Sequence, residues 1–95
     1  MSIQQPAVDS VVSSFRDEIT ALDVRLVSTI NARIKAVKAL AEYKRKHGLA
    51  FVDIEREAWL VAYLKRVNSG PLTDDGLDEL LTFVLALVKD EVTRA

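Results

Sequence analysis

The 95-residue chain has no cysteine, two prolines, three glycines and one histidine. The absence of cysteine excludes disulfides, thiol catalysis and cysteine-ligated metal sites, and it is compatible with a reducing cytoplasm. The histidine, His47, stands beside Gly48 in a polar run. That position is typical of a solvated residue at a helix end rather than of a base or a metal ligand.

The chain also lacks an excess of charge of either sign. Thirteen Lys and Arg residues stand against 14 Asp and Glu residues, which gives a formal net charge of -1. General nucleic-acid binding requires a net basic face, so this balance argues against nucleic acid as a partner. No apolar run reaches membrane-spanning length, and the first ten residues lack the pattern of a secretory signal. We therefore expect a cytoplasmic protein that has no membrane partner.

A long helical pattern fills the first half of the chain. From about residue 8 to residue 47 apolar residues recur at steps of three and four with no proline or glycine, and Gly48 follows as a stop signal. Such a helix of about 40 residues spans roughly 60 Å, more than a 95-residue domain needs. The pattern predicts a homodimer in which two long helices pack together, preceded in each chain by a flexible tail over residues 1–7.

Two shorter helices are predicted after the long one. Asp53 is the expected N-cap of a second helix that runs to about Asn68, and Thr73 is the expected N-cap of a third. Residues 69–71 (SGP) break the chain between them. Because no strand pattern appears, we predict an all-α, three-helix domain over residues 8–95, assembled as an intertwined helical homodimer.

Cations fall on the apolar stripes of the first two helices. Arg33 and Lys44 share the stripe of the first helix, and Arg56 is in phase with the apolar residues of the second. The apolar members of the first stripe are Phe15, Ile19, Leu22, Leu26, Ile30, Val37 and Leu40; those of the second are Leu60, Tyr63, Leu64 and Val67. A buried cation is costly unless an anion meets it. The stripes predict either an anionic ligand or an internal ion-pair network with Asp53, Glu57 and Glu42.

Five sequence segments carry a resemblance to a known family. They are residues 15–19 (FRDEI), 21–23 (ALD), 31–33 (NAR), 41–44 (AEYK) and 53–57 (DIERE). In this order and spacing, over about residues 11–68, the chain resembles the all-helical AroQ class (type II) of chorismate mutases. The resemblance implies a cofactor-free isomerase of aromatic amino-acid biosynthesis, in the shikimate pathway, that converts chorismate to prephenate as an intertwined dimer.

The resemblance also implies roles for individual residues. Arg16 and Arg33 clamp the two substrate carboxylates, and Lys44 reaches the ether oxygen as the main electrostatic catalyst. Glu57 and the backbone around Asp53 hold the ring hydroxyl. Arg56 completes the cationic wall. No metal is implied, since the rearrangement is a concerted step that needs a held conformer and positive charge at the breaking bond.

Helix geometry adds a constraint on Arg16. It lies 17 residues before Arg33, which is roughly 25 Å along one helix and about 100° around it. The two side chains cannot grip one small ligand from the same chain. If both bind substrate, Arg16 comes from the other protomer.

The third helix departs from the family pattern. Its apolar register places Val88 and Val92 at positions where the family carries polar donors to the substrate, so we count both as substrate-contacting positions without a donor. Losing one such donor commonly costs on the order of 3 kcal/mol, about a hundredfold in rate. The departure leaves several readings open: a slow mutase, a mutase completed by a partner enzyme, a 4-amino-4-deoxychorismate mutase, an isochorismate pyruvate lyase, or a non-catalytic helical dimer that regulates a partner.

Overall fold

A computed structural model describes the backbone of residues 4–94 and the side chains from residue 8 to residue 94. Within this range the chain forms three α-helices and no strand: α1 Gln4–Lys46, α2 Ile54–Val67 and α3 Asp74–Thr93. The predicted all-α, three-helix fold is confirmed. Helix α1 begins four residues before its predicted start, so the predicted tail is helical from Gln4, and residues 1–3 lie outside the described residues.

The chain divides into two compact units, Met1–Ala32 and Arg33–Ala95. The described part of the first unit is a stretch of α1. All of its large apolar side chains from residue 8 onward except the half-buried Ile30 are exposed in the protomer. They are Val8, Val11, Val12, Phe15, Ile19, Leu22, Val24, Leu26 and Val27.

Local backbone chemistry explains where α1 ends. Gly48 adopts a positive φ of 67°, which a residue with a Cβ adopts only at a cost. This conformation lets the Leu49 N–H donate to the Lys44 carbonyl at 2.8 Å and the Gly48 N–H donate to the Arg45 carbonyl at 3.4 Å. Two carbonyls of the last turn of the helix are thereby satisfied. The stop predicted at Gly48 is confirmed.

The two predicted N-caps are also confirmed. The Asp53 carboxylate accepts a hydrogen bond from the Arg56 N–H at 3.0 Å at the start of α2. The Thr73 hydroxyl oxygen accepts one from the Gly76 N–H at 3.0 Å at the start of α3. Both side chains satisfy N–H groups that have no partner within the helix.

Helices α2 and α3 pack against each other and hold the core of the second unit. Leu77, Leu81 and Val88, all on α3, are the buried apolar residues of the described chain. An ion pair of 2.8 Å between Lys65 of α2 and Asp78 of α3 joins the two helices at their partly exposed edge. Within residues 4–94, no helix combines the length and the apolar character that crossing a membrane requires.

Candidate functional site

The second unit contains a cleft of about 100 Å³ that we call the central cleft. Its wall combines apolar side chains with four charged ones, drawn from α1, α2, α3 and the connection between α1 and α2. The lining consists of Arg33, Val37, Leu40, Phe51, Val52, Asp53, Glu57, Leu60, Leu85, Val88 and Lys89. Four of the predicted site residues, Arg33, Asp53, Glu57 and Val88, are therefore brought together.

Helix α1 supplies the arginine of the central cleft. Arg33 is half-buried and shares the lining with Val37 and Leu40, which lie four and seven residues further along the helix. Residues at this spacing lie on one helical face. The predicted inward position of Arg33 among apolar residues is confirmed.

The first turn of α2 places two carboxylates at the central cleft. Asp53 caps the helix, and Glu57 follows one turn later with its N–H donating to the Asp53 carbonyl at 3.1 Å. One Asp53 carboxylate oxygen is already engaged by the cap. Glu57 is half-buried and contributes its side chain to the wall. This turn therefore gives the cleft an acidic side that supplies hydrogen-bond acceptors to a ligand.

Lys89 of α3 is a residue of the central cleft that the sequence analysis missed. Its ammonium forms an ion pair of 2.5 Å with the Glu57 carboxylate across the two helices. Lys89 is half-buried and immediately follows Val88. A sequence signal existed, because Lys89 is the one basic residue within α3. A single lysine that directly follows an apolar run of α3 is a reason to look for an acidic partner on the neighbouring helix.

Lys44 lies in a neighbouring cleft rather than in the lining of the central one. Its ammonium donates to the Phe51 carbonyl at 3.3 Å, which ties the end of α1 to the connection that follows. This Lys44 cleft is lined by Lys44, Leu49, Ala50, Val52, Asp53, Ile54 and Glu55. Val52 and Asp53 line both clefts, so the Lys44 cleft adjoins the central cleft at these two residues.

The prediction that Arg56 faces inward is wrong for the protomer. Arg56 is exposed, and its guanidinium lies over the ring of Trp59, 4.3 Å from the ring centroid. Trp59 in turn stacks on Tyr63 at a centroid separation of 5.0 Å. The inward position belongs instead to Glu57, one residue and about 100° further round the helix.

The two valines predicted on α3 occupy different environments. Val88 is 1% exposed and forms part of the apolar wall of the central cleft. Val92 is half-buried and lies outside the lining of that cleft. Val88 thus supplies no donor, as the sequence analysis predicts, while the adjacent Lys89 brings a charged donor into the same wall.

Arg16 belongs to the first unit, where it is exposed on α1.

The central cleft is lined by two basic side chains, Arg33 and Lys89, and by two acidic ones, Asp53 and Glu57. The lining charges therefore balance. Among the described residues, no three His, Cys, Asp or Glu side chains are grouped to hold a metal ion.

Comparison with known families decides the classification. The family model described as chorismate mutase type II matches residues 15–92. These residues include most of α1, all of α2, all but the last residue of α3 and every charged residue of the central cleft. The chain belongs to the chorismate mutase type II family. Its enzyme class is accordingly that of an isomerase, a chorismate mutase.

A solved chorismate mutase has the same fold. The structure of chorismate mutase (form II) from Thermus thermophilus matches with a TM-score of 0.82 at 23% sequence identity, covering 87% of this chain and 94% of that one. At this identity the match shows that the two chains share the three-helix fold. No curated protein sequence matches the chain.

Proposed function

We propose that this chorismate mutase family member converts chorismate to prephenate in the central cleft, by holding a reactive conformer and stabilising charge at the breaking ether bond. The convergence of Arg33, Asp53, Glu57 and an apolar wall in one cleft of the second unit supports this proposal. The reaction belongs to aromatic amino-acid biosynthesis, and we place it in the cytoplasm.

The rearrangement requires the protein only to position the substrate and to place positive charge near its ether oxygen. Chorismate is a small dicarboxylate with an ether bridge, and its rearrangement is a concerted pericyclic step. It needs no nucleophile, metal or general base. Restricting the substrate to its compact conformer lowers the entropic part of the barrier. Cations near the ether oxygen stabilise the electron density that develops there, and they act more strongly where apolar walls exclude water.

We assign the residue roles on this basis. Arg33 clamps one substrate carboxylate by charge-assisted hydrogen bonds. Lys44, in the adjoining cleft, is the cation for the ether oxygen and turns to it from the Phe51 carbonyl. Glu57 and the backbone around Asp53 hold the ring hydroxyl. In this proposal Val88 contributes shape to the cleft without a donor, whereas Val92, outside the lining, contributes no contact.

The balanced charge of the central cleft argues for cations from outside its lining. A dicarboxylate brings two negative charges, and the lining offers no positive excess. Lys44 supplies one further cation. We assign the second to Arg16 of a second protomer and place Arg56 as an outer part of the cationic wall.

A homodimer is part of the proposal for a physical reason. The first unit exposes large apolar side chains along α1, such as Phe15 at 60% and Leu26 at 57%. Monomeric proteins rarely expose continuous apolar patches of this kind. A second copy that packs its own α1 along this stripe covers it and carries its Arg16 with it.

Substitution of Arg33 tests the site. Arg33→Met should lower kcat/KM for chorismate by on the order of 10²–10³, the usual cost of a lost charge-stabilising donor. Lys35→Met is the matched control, because Lys35 is exposed on the opposite side of α1 and should leave kcat/KM unchanged. Retained activity in Arg33→Met contradicts the site assignment.

Mixing variants tests the shared site. Arg16→Met and Arg33→Met are each expected to be nearly inactive, but half of the dimers in a refolded equimolar mixture pair the two variants. Each such dimer has one intact site of two, so about a quarter of wild-type activity should return. A mixture that stays inactive contradicts donation of Arg16 across chains.

Product analysis separates the alternative functions. Purified protein is incubated with chorismate, 4-amino-4-deoxychorismate or isochorismate, and the products are identified by chromatography. Prephenate from chorismate is the expected result. Preference for the amino substrate, pyruvate from isochorismate, or no turnover of any of the three supports instead the amino mutase, the lyase or a regulatory dimer. Turnover that appears only on addition of a second enzyme of the pathway identifies a mutase completed by a partner.

A further inference from the structure

Two ion pairs join α2 to α3, and they differ in what surrounds them. Lys65 and Asp78 pair at 2.8 Å, and Lys89 and Glu57 pair at 2.5 Å. The lysine side chains are nearly equally exposed, at 35% and 36%. Only the second pair lies in the lining of the central cleft. The first pair is thus a natural control for the second.

The Glu57–Lys89 pair forms part of two clefts at once. Besides the central cleft, both residues line a cleft on the α3 side, together with Thr82, Leu85, Ala86 and Asp90. The pair therefore stands in the wall between the two, and its side chains are 29% and 36% exposed. A ligand in the central cleft can reach the pair without unfolding the wall.

The ion pair between Glu57 and Lys89 determines which ligand groups this part of the cleft wall can bind. A carboxylate without a counter-ion attracts an ammonium group on a ligand and also accepts a hydrogen bond from a hydroxyl. When Lys89 neutralises Glu57, the attraction for an ammonium is lost, and Lys89 itself repels a second cation. Hydrogen bonding to an uncharged hydroxyl survives, since a carboxylate has more acceptor sites than one lysine uses.

We infer that Lys89 is a specificity-determining residue: by neutralising Glu57, it makes the central cleft select a hydroxyl-bearing dicarboxylate over the corresponding amine. The inference rests on the proposed function, in which Glu57 contacts the ring substituent. It narrows the substrate class to chorismate and excludes 4-amino-4-deoxychorismate as the preferred substrate. A ligand charge that finds no counter-ion in the site is a common source of specificity.

The test compares two substrates in four proteins. The ratio of kcat/KM for chorismate to kcat/KM for 4-amino-4-deoxychorismate should exceed one in the wild type. It should fall about tenfold in Lys89→Met, which frees the Glu57 charge. It should stay unchanged in Lys65→Met and in Lys89→Arg, which leave that charge paired. Using a ratio removes any general loss of folded enzyme from the comparison.

A second variant moves the ratio in the opposite direction. Glu57→Gln leaves Lys89 without its counter-ion, so the ratio should rise above the wild-type value even as both rates fall. This variant also decides the question if Lys89→Met proves unstable by circular dichroism. An unchanged ratio in folded Lys89→Met or Glu57→Gln, or a wild-type preference for the amine, overturns the inference.

Failure of the proposed function gives a different result. If Arg33→Met retains full activity on both substrates, the central cleft is not the site and the proposed function fails. If Arg33→Met loses activity on both substrates while Lys89→Met keeps the wild-type ratio, the site stands and only the role of Lys89 is overturned.

Discussion

The first unit and helix α3 both carry apolar residues at helical spacing, and they differ in whether anything covers them. On α3, Leu77, Leu81 and Val88 are at most 9% exposed, because α2 packs against them. In the first unit Ile19 and Leu26 remain more than half exposed. The same kind of sequence pattern has thus produced a core in one region and an open surface in the other.

This difference shows that an apolar pattern predicts which face of a helix is suited to burial but not what covers that face. Periodicity indicates which face of a helix is suited to burial. It carries no information about whether the cover comes from the same chain or from another. In the second unit the cover is supplied by the neighbouring helix; for the first unit we assign it to a second copy.

The largest expected effect comes from a charge on the exposed stripe. Leu26→Lys should weaken the proposed dimer by about 3–6 kcal/mol, since each buried leucine contributes about 1.5–3 kcal/mol and a two-fold interface contains it twice. That free energy corresponds to a rise in Kd of roughly a hundredfold to ten-thousandfold, measurable by sedimentation equilibrium.

Val24→Lys is the control for this prediction. Val24 is 64% exposed in the protomer against 57% for Leu26, but it lies two residues away and so on the opposite side of the helix. Its substitution should leave Kd nearly unchanged. Equal effects of the two substitutions, or a wild-type protein that is monomeric, contradict an interface along this stripe.

A smaller effect is expected in the covered region. Val88→Ala removes two methyl groups from the most buried side chain of the described residues and should lower the free energy of unfolding by about 2 kcal/mol. Val67→Ala makes the same chemical change on α2 at a position 54% exposed, and should cost less than about 0.5 kcal/mol. Urea denaturation at one protein concentration measures both. Equal losses would show that the burial contrast does not govern stability.

The features that were predicted correctly depend on residues that are close together in the sequence. The ends of the helices follow from Gly48, Asp53 and Thr73, because each acts on backbone groups within four residues of itself. The inward position of Arg33 followed from a long, regular helix in which many apolar residues define one face.

The features that were missed depend on short helices and on contacts between them. Helix α2 has only 14 residues, and its apolar residues are compatible with more than one inward face. The prediction was therefore wrong by one residue: it placed Arg56 on the inward face, where the structure has Glu57. The pairing of Lys89 with Glu57 depends on how α3 packs on α2, which no local pattern specifies. The chemistry of the cleft wall was therefore predictable only in part.

The smallest effect concerns the ion pair that joins α2 and α3 outside the central cleft. The hydrogen bond from Lys65 to the Asp78 carboxylate is the main reason that the pKa of Lys65 is raised above its usual value. A raised lysine pKa contributes stability that is fully present below the unfolded-state pKa of about 10.4 and is lost as the pH rises through the folded-state value.

Lys65→Met should therefore be slightly less stable than the wild type at pH 8, and the two should converge in stability as the pH rises past about 10.4. The measurement is the difference in free energy of unfolding between the two proteins across this pH range, which cancels the titration of groups they share. Lys38→Met, a change at an exposed lysine of α1, should show a smaller difference at pH 8 and no such convergence. A difference for Lys65→Met that persists undiminished at alkaline pH would assign the stabilising effect of Lys65 to the packing of its side-chain stem rather than to its ion pair with Asp78.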